Sequence, residues 1–194
     1  MQGWKVLLAM LGGALLFFLS AALLMPSDYH VAQALWIPAE PGEVFEELEN
    51  LHGWEKWALW SSKMDATFKP SYSGPDRGVG AQVSWTSEEF GDGTRKITEA
   101  DRPRRVTLDR TLAGGQGVAT ERITLQAHET EDGRGTRIIW GMAGDVGSSP
   151  IARLKVGLMQ QAAAQEYDHN LLRLHEYFTK QKKKGSGSSA SDGL

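Results

Sequence analysis

No cysteine occurs anywhere in the chain. That excludes a disulfide framework, a thiolate nucleophile and any zinc site built on sulfur. The redox compartment stays open, although a cysteine-free chain is at ease in an oxidising space. Excess positive charge is lacking as well. The formal balance is −3 over 194 residues, and between Asp28 and Thr179 there are 16 Lys and Arg against 23 Asp and Glu, a net of −7. A body this acidic lacks the positive footprint that nucleic acid requires, so nucleic acid is not an expected partner. The histidines (His30, His52, His128, His169, His175) form no metal-binding spacing. There is no HExxH, and His169 and His175 fall on different faces of a helix. GxSxG, Walker and dinucleotide fingerprints are missing, and Gly114-Gly115-Gln116-Gly117 is too short on context to cradle a phosphate. The sequence thus assigns no metal, no cofactor and no catalytic residue.

Length suits one domain with appendages. The first appendage is residues 1–27. Residues 6–27 carry no charge, and the run from Val6 to Met25 is rich in Leu, Ala and Phe. About 20 apolar residues at ~1.5 Å rise span a hydrocarbon core of ~30 Å. Ser20-Ala21-Ala22 would serve a signal peptidase, but Leu23, Leu24 and Met25 prolong the run beyond it, and that length favours an uncleaved anchor through residues 6–25. Lys5 before the run and Asp28 after it place the N-terminus in the cytoplasm and the domain on the extracytoplasmic side. The last appendage, residues 181–194, starts with Lys182-Lys183-Lys184 and continues in Gly and Ser, a composition that predicts disorder.

Between them, residues 28–180 read as one α+β domain. Tyr29 to Pro38 alternates as a strand, with Val31, Gln33, Leu35 and Ile37 on one face. Pro41 opens a short helix with Val44, Phe45, Leu48 and Leu51 as its apolar stripe. Trp54, Trp57 and Trp60 follow at steps of three. They either fill the core, wall a ligand pocket or touch a membrane interface, and the core reading comes first for Trp57. From Phe68 onward about six antiparallel strands are joined by turns. Among them are Ala81–Thr86 with Trp85, Arg105–Leu112 with Val106, Leu108 and Arg110 on one face, and Val118–Thr130 and Thr136–Val146 around Asp132-Gly133.

The longest helical pattern in this domain is Pro150 to Lys180. Ser149 suits the N-cap and Pro150 the first helical position. Ala152, Val156, Met159, Ala163, Tyr167, Leu171, Leu174 and Phe178 share one face. Its middle is small or flexible (Met159, Ala162, Ala163, Ala164), which leaves room either for a ligand or for close packing on the sheet. Glu166 borders this stretch, with His169 one turn on. Turned inward, Glu166 could move a proton, with His169 or Arg110; turned outward, it forms an exposed Glu–His pair, the commoner situation for a glutamate.

Four stretches carry a family likeness: Tyr29-His30-Val31 through Pro38-Ala39-Glu40-Pro41-Gly42-Glu43-Val44-Phe45; Trp54-Glu55-Lys56-Trp57; Tyr72-Ser73-Gly74-Pro75 through Gly78-Val79-Gly80-Ala81; and the closing helix. With them the chain resembles the START-like SRPBCC superfamily, and within it the bacterial polyketide cyclase/dehydrase and lipid transport family. The resemblance implies a helix-grip fold: a curved antiparallel sheet around the long C-terminal helix with an apolar cavity between, here preceded by one transmembrane helix in the cell inner membrane. It implies a hydrophobic small molecule or lipid as partner. The residues expected to line the cavity are the aromatics Trp54, Trp85, Trp140 and Tyr167, with Met142, Met159, Ala163 and Glu166. Binding without catalysis is the first expectation. A cyclase or dehydratase using the same cavity is the second, and a protein-interaction module like the chaperone-activating branch of the superfamily is the third.

Overall fold

The computed structural model describes residues 3–112, 118–131 and 133–188. The Gly-rich loop 113–117, Asp132 of the expected hairpin and the tail beyond Ser188 lie outside the described residues. Helix α1 (Gly3–Leu23) is followed by strand β1 (Asp28–Ile37), helix α2 (Pro41–Leu48) and a 3-10 turn (Gly53–Lys56). Strands β2 (Lys69–Ser73), β3 (Gln82–Thr86), β4 (Gly93–Asp101), β5 (Arg105–Leu112), β6 (Val118–Thr130) and β7 (Gly133–Asp145) come next, and helix α3 (Pro150–Ser188) closes the chain.

The seven strands form one antiparallel sheet in the order β1-β7-β6-β5-β4-β3-β2. All but one of the neighbouring pairs follow one another in the chain. The exception pairs the first strand with the last, Val31 opposite Met142 and Leu35 opposite Ile138. α3 packs along β1, which is otherwise an open edge. Gln160 Nε2 donates to the His30 carbonyl at 3.1 Å, and Gln33 Nε2 donates to Asp168 at 3.2 Å.

Local chemistry accounts for the ends of the helices. Glu40 and Glu43 form a reciprocal capping box at the start of α2, ahead of its buried Val44, Phe45 and Leu48. Ser149 Oγ accepts from the Ala152 amide at 3.3 Å, so it caps α3 as its position before Pro150 predicts. The α3 backbone stays helical to Ser188, past the Lys180 where its apolar pattern stops and into the stretch whose composition predicts disorder.

Alternation in the strands sets the inner face. Ile97, Val106, Leu108, Ile123, Leu125, Ile138 and Trp140 are buried there and meet Tyr167, Leu171, Leu174 and Phe178 of α3. Fully burying such aliphatic side chains is worth about 1.5–3 kcal/mol each. The Gly74–Gly80 loop is a packing device. Gly74 has φ +80°, and a Cβ there would stand 2.3 Å from the Gly80 carbonyl oxygen, so only glycine fits. Gly78 N–H donates to the Glu49 carbonyl and Gly80 N–H to the Ile97 carbonyl, which pins the loop to α2 and β4.

Candidate ligand-binding site

Between α3 and the sheet, a cluster of aromatic rings packs against a cluster of charges. Trp54, Trp57 and Trp60 are all buried, so they serve as interior walls and do not reach a membrane interface. Their rings lie 5.4, 6.4 and 6.3 Å from that of Trp140, which stacks on Tyr167 at 5.2 Å. Offset and edge contacts at these separations add to the area the rings bury. The segment is fixed by its own polar groups. Trp54 Nε1 donates to the Leu48 carbonyl and Trp57 Nε1 to Glu47. From α3, Asn170 Oδ1 accepts from the Leu59 amide at 2.8 Å, and Arg173 Nε donates to the Trp57 carbonyl at 2.7 Å.

Arg95 on β4 stands directly opposite Arg110 on β5, and both are buried. Two like charges in that position repel unless counterions intervene. Two do. Glu121 on β6 accepts from Arg95 Nε at 2.9 Å, Arg95 Nη2 at 3.1 Å and Arg110 Nη1 at 3.2 Å. Glu166 on α3 accepts from Arg110 Nη1 and Nη2 at 2.6 and 3.0 Å and from Arg95 Nη2 at 3.1 Å. Tyr167 donates its hydroxyl proton to Glu121 at 3.0 Å. The Arg95 guanidinium also lies 3.4 Å over the Trp60 ring. Two cations and two anions thus balance in a cluster that joins three strands to the helix.

The cluster tunes its members. Burial alone would raise the Glu121 carboxyl, but the Arg95 and Arg110 charges outweigh it and hold the group below the usual range. Burial opposes the Arg110 charge, yet the Glu166 and Glu121 carboxylates raise its pKa further. Burial, reinforced by the Glu121 charge, pushes the Tyr167 hydroxyl up, so it acts as a neutral donor. Outside the cluster, Ser87 and Thr67 donate to Asp65 and lower its carboxyl, tying loop 61–68 to loop 87–92.

Of the expected cavity residues, Trp54, Trp140, Ala163 and Tyr167 are buried together between helix and sheet. Trp85 is buried on the β3 side, its ring 5.3 Å from Arg95 Cζ. Met142 and Met159 are half-buried. Glu166 turns inward with 18% of its side chain exposed, so the outward Glu–His pair does not form and His169 is exposed. Arg95 and Glu121 were not anticipated as site residues. Arg110 Nε and Trp140 Nε1, like Trp36 Nε1, Ser61 Oγ and Arg105 Nε, are buried and have no partner among the described residues. Among the described residues no group of three His, Asp or Glu is placed to hold a metal ion.

A curved sheet gripping a long helix matches one family model over residues 29–179, polyketide cyclase / dehydrase and lipid transport. The chain belongs to that family. This SRPBCC-type membership points to binding of a hydrophobic ligand. Solved structures share the helix-grip fold. A Staphylococcus aureus protein of unknown function superposes with a TM-score of 0.62 at 11% identity, over 81% of this chain and 98% of its own. A Rhodobacter sphaeroides protein gives 0.54 at 17% identity, over 78% and 93%. A Mycobacterium smegmatis protein gives 0.53 at 13%, over 78% and 92%. At such identities the likeness is one of fold. No curated protein matches the chain. Ahead of the family's segment lies α1, one helix long and apolar enough to cross a membrane.

Proposed function

We propose that the chain is a membrane-anchored binding module. It holds a hydrophobic molecule with a neutral oxygen, carbonyl or hydroxyl, between the inner face of the sheet and the middle of α3. The observation that carries this reading is the buried charge cluster with its two unpartnered donors, Arg110 Nε and Trp140 Nε1. An apolar core of equal volume would be at least as stable as buried ion pairs. Three buried charges and a half-buried fourth, Glu166, are therefore a feature that packing alone does not call for, and such features gather at functional sites. An unpaired buried donor costs about 1–3 kcal/mol, and an acceptor oxygen on a ligand relieves that cost. The cluster is already neutral, so an ionised head would bring an uncompensated charge into it. Trp54, Trp140, Tyr167 and Ala163 would take the apolar body, with Trp85 behind Arg95. Half-buried Met142 and Met159 would flank the entrance, and Glu166 would hold Arg110 in position.

In this reading α1 anchors the chain and, with Lys5 before it and Asp28 after it, leaves the domain on the extracytoplasmic side of the cell inner membrane. The module binds and presents its ligand without turnover. The test is a tryptophan-fluorescence titration of the full chain with pairs of ligands that share a chain length and differ only in the head. Methyl ketones or alcohols should bind at least about tenfold more tightly than the matching hydrocarbons, the discrimination of one satisfied buried donor. Equal affinity within each pair removes the acceptor-oxygen reading.

A further inference from the structure

The first turns of α3 have an unusual outer face. Ile151, Leu154 and Leu158 are 60%, 53% and 70% exposed. At 100° per residue they fall within an arc of about 60°. The same arc further along α3 carries exposed Gln165 and His169, with Leu172 standing alone beyond them, so the clustered apolar surface lies at the start of the helix.

That start is joined to the end of α1. Arg153 Nη1 donates to the Leu23 and Met25 carbonyls at 2.5 and 3.0 Å, and Arg153 Nε donates to the Gly147 carbonyl at 2.9 Å. A cation on the last carbonyls of a helix satisfies acceptors that the helix itself leaves open. Ser27 Oγ donates to Asp145 at 2.7 Å, and the Val146 amide donates to the Ser27 carbonyl at 2.9 Å. α1 packs on α3, and Ala22, its one buried residue, lies at this end. The link between anchor and domain is thus a tied joint.

We infer that this end of the domain is seated on the bilayer, with Ile151, Leu154 and Leu158 in the boundary between headgroups and acyl chains. The inference rests on α1 being an anchor, as proposed above. If α1 crosses the bilayer, its last turn lies at the surface, and Arg153 holds the first turns of α3 to that level. A short amphipathic face with a neighbouring lysine suits such a boundary, and exposed Lys155 reaches the lipid phosphates from it. Of the two acidic residues at the joint, Asp145 is occupied by Ser27 and the Gly147 amide, while Asp28 opposite it is exposed.

This seating gives the site its source of ligand. Val31 and Met142 are inward-facing, only half-buried, and three residues along their strands from Asp28 and Asp145 at the joint. Three residues of strand cover about 10 Å. A hydrophobic molecule therefore enters from the bilayer at this end and meets Met142 and Met159 before it reaches the Arg95–Glu121 cluster. The class of ligand is one that partitions into membranes.

The cysteine-free chain permits single-site labelling without background. Nitroxide would be attached to the full chain carrying Leu154→Cys, Leu158→Cys, Leu172→Cys or Leu11→Cys, in vesicles of phosphatidylcholine and phosphatidylglycerol. Leu172 is 53% exposed and lies further along α3, so it serves as the water-facing reference. Collision with a water-soluble nickel chelate should be about tenfold slower at positions 154 and 158 than at 172, as burial by 5–10 Å requires. Equal collision rates at all three, with the Leu11→Cys label protected in the acyl core, overturn the seating and leave the anchor standing. A chain that fails to float with the vesicles overturns both.

Discussion

Arg95 and Arg110 stand opposite each other on neighbouring strands, and both donate to Oε1 of Glu121 and to Oε1 of Glu166. Each carboxylate separates the same two cations, one from within the sheet and one from the helix. The cluster therefore fixes where α3 sits as well as what the interior offers a ligand.

Removing one charge from it should be costly. Glu121→Gln keeps the side-chain volume and leaves two buried arginines facing one carboxylate. A loss of about 3–5 kcal/mol is expected, read as a lower denaturant midpoint. A loss under about 1 kcal/mol would show that the pairs are not coupled as the geometry indicates.

Acid should act through the same group. The folded-state pKa of Glu121 is depressed, and that of Asp65 is depressed by Ser87 and Thr67. A depressed carboxyl contributes stability that is complete above its unfolded value, near 4, and that is lost as pH falls through the folded value. The unfolding midpoint should be flat from neutral pH down to about 5 and then fall. In Glu121→Gln the acid limb should be shallower. An identical acid limb in the variant would assign the effect to other carboxylates.

Asn170 is one of two holds that α3 has on the tryptophan segment, with Arg173. Asn170→Ala breaks the bond to the Leu59 amide and leaves a part-buried donor without a partner. The expected cost is about 1–3 kcal/mol. Amide exchange should quicken at 57–60 before it does in β6 and β7. Uniform quickening across the sheet would mean that Asn170 supports the whole fold and not this segment.

Ala163 reports on what packs beside it. If a ligand sits there, Ala163→Leu should abolish binding with little change in stability. If protein atoms pack there, the added methylenes should cost about 1–3 kcal/mol through overpacking. A stable Ala163→Leu protein that still binds would move the site elsewhere.

Much of the architecture is legible in residue patterns. Alternation in β1, β5 and β7, the Ser149-Pro150 start and the spacing from Ala152 to Phe178 each specify one local geometry, and packing agrees with all of them. Two features were harder to see. The helix past Lys180 continues through Gly and Ser at 185–188, where propensity argues against it, but extending an existing helix avoids the cost of nucleation. The charge cluster is half legible for a different reason. Arg110 and Glu166 stand out beside apolar positions, but a lone Arg or Glu is usually solvated, so nothing singles out Arg95 and Glu121 by themselves. Yet Arg95 precedes Ile97 by two, Arg110 follows Leu108 by two, and Glu121 precedes Ile123 by two. Three inward positions on three adjacent strands were charged, and that coincidence was the available signal.

The most direct test of the central claim is native mass spectrometry of the full chain released from detergent micelles, with organic extraction of whatever is bound. One molecule per chain, apolar in body and carrying a neutral carbonyl or hydroxyl oxygen, is the predicted result. An empty chain, with tryptophan emission unmoved by a panel of lipids and polyketides, would contradict the account and leave Trp54, Trp140 and Tyr167 as core.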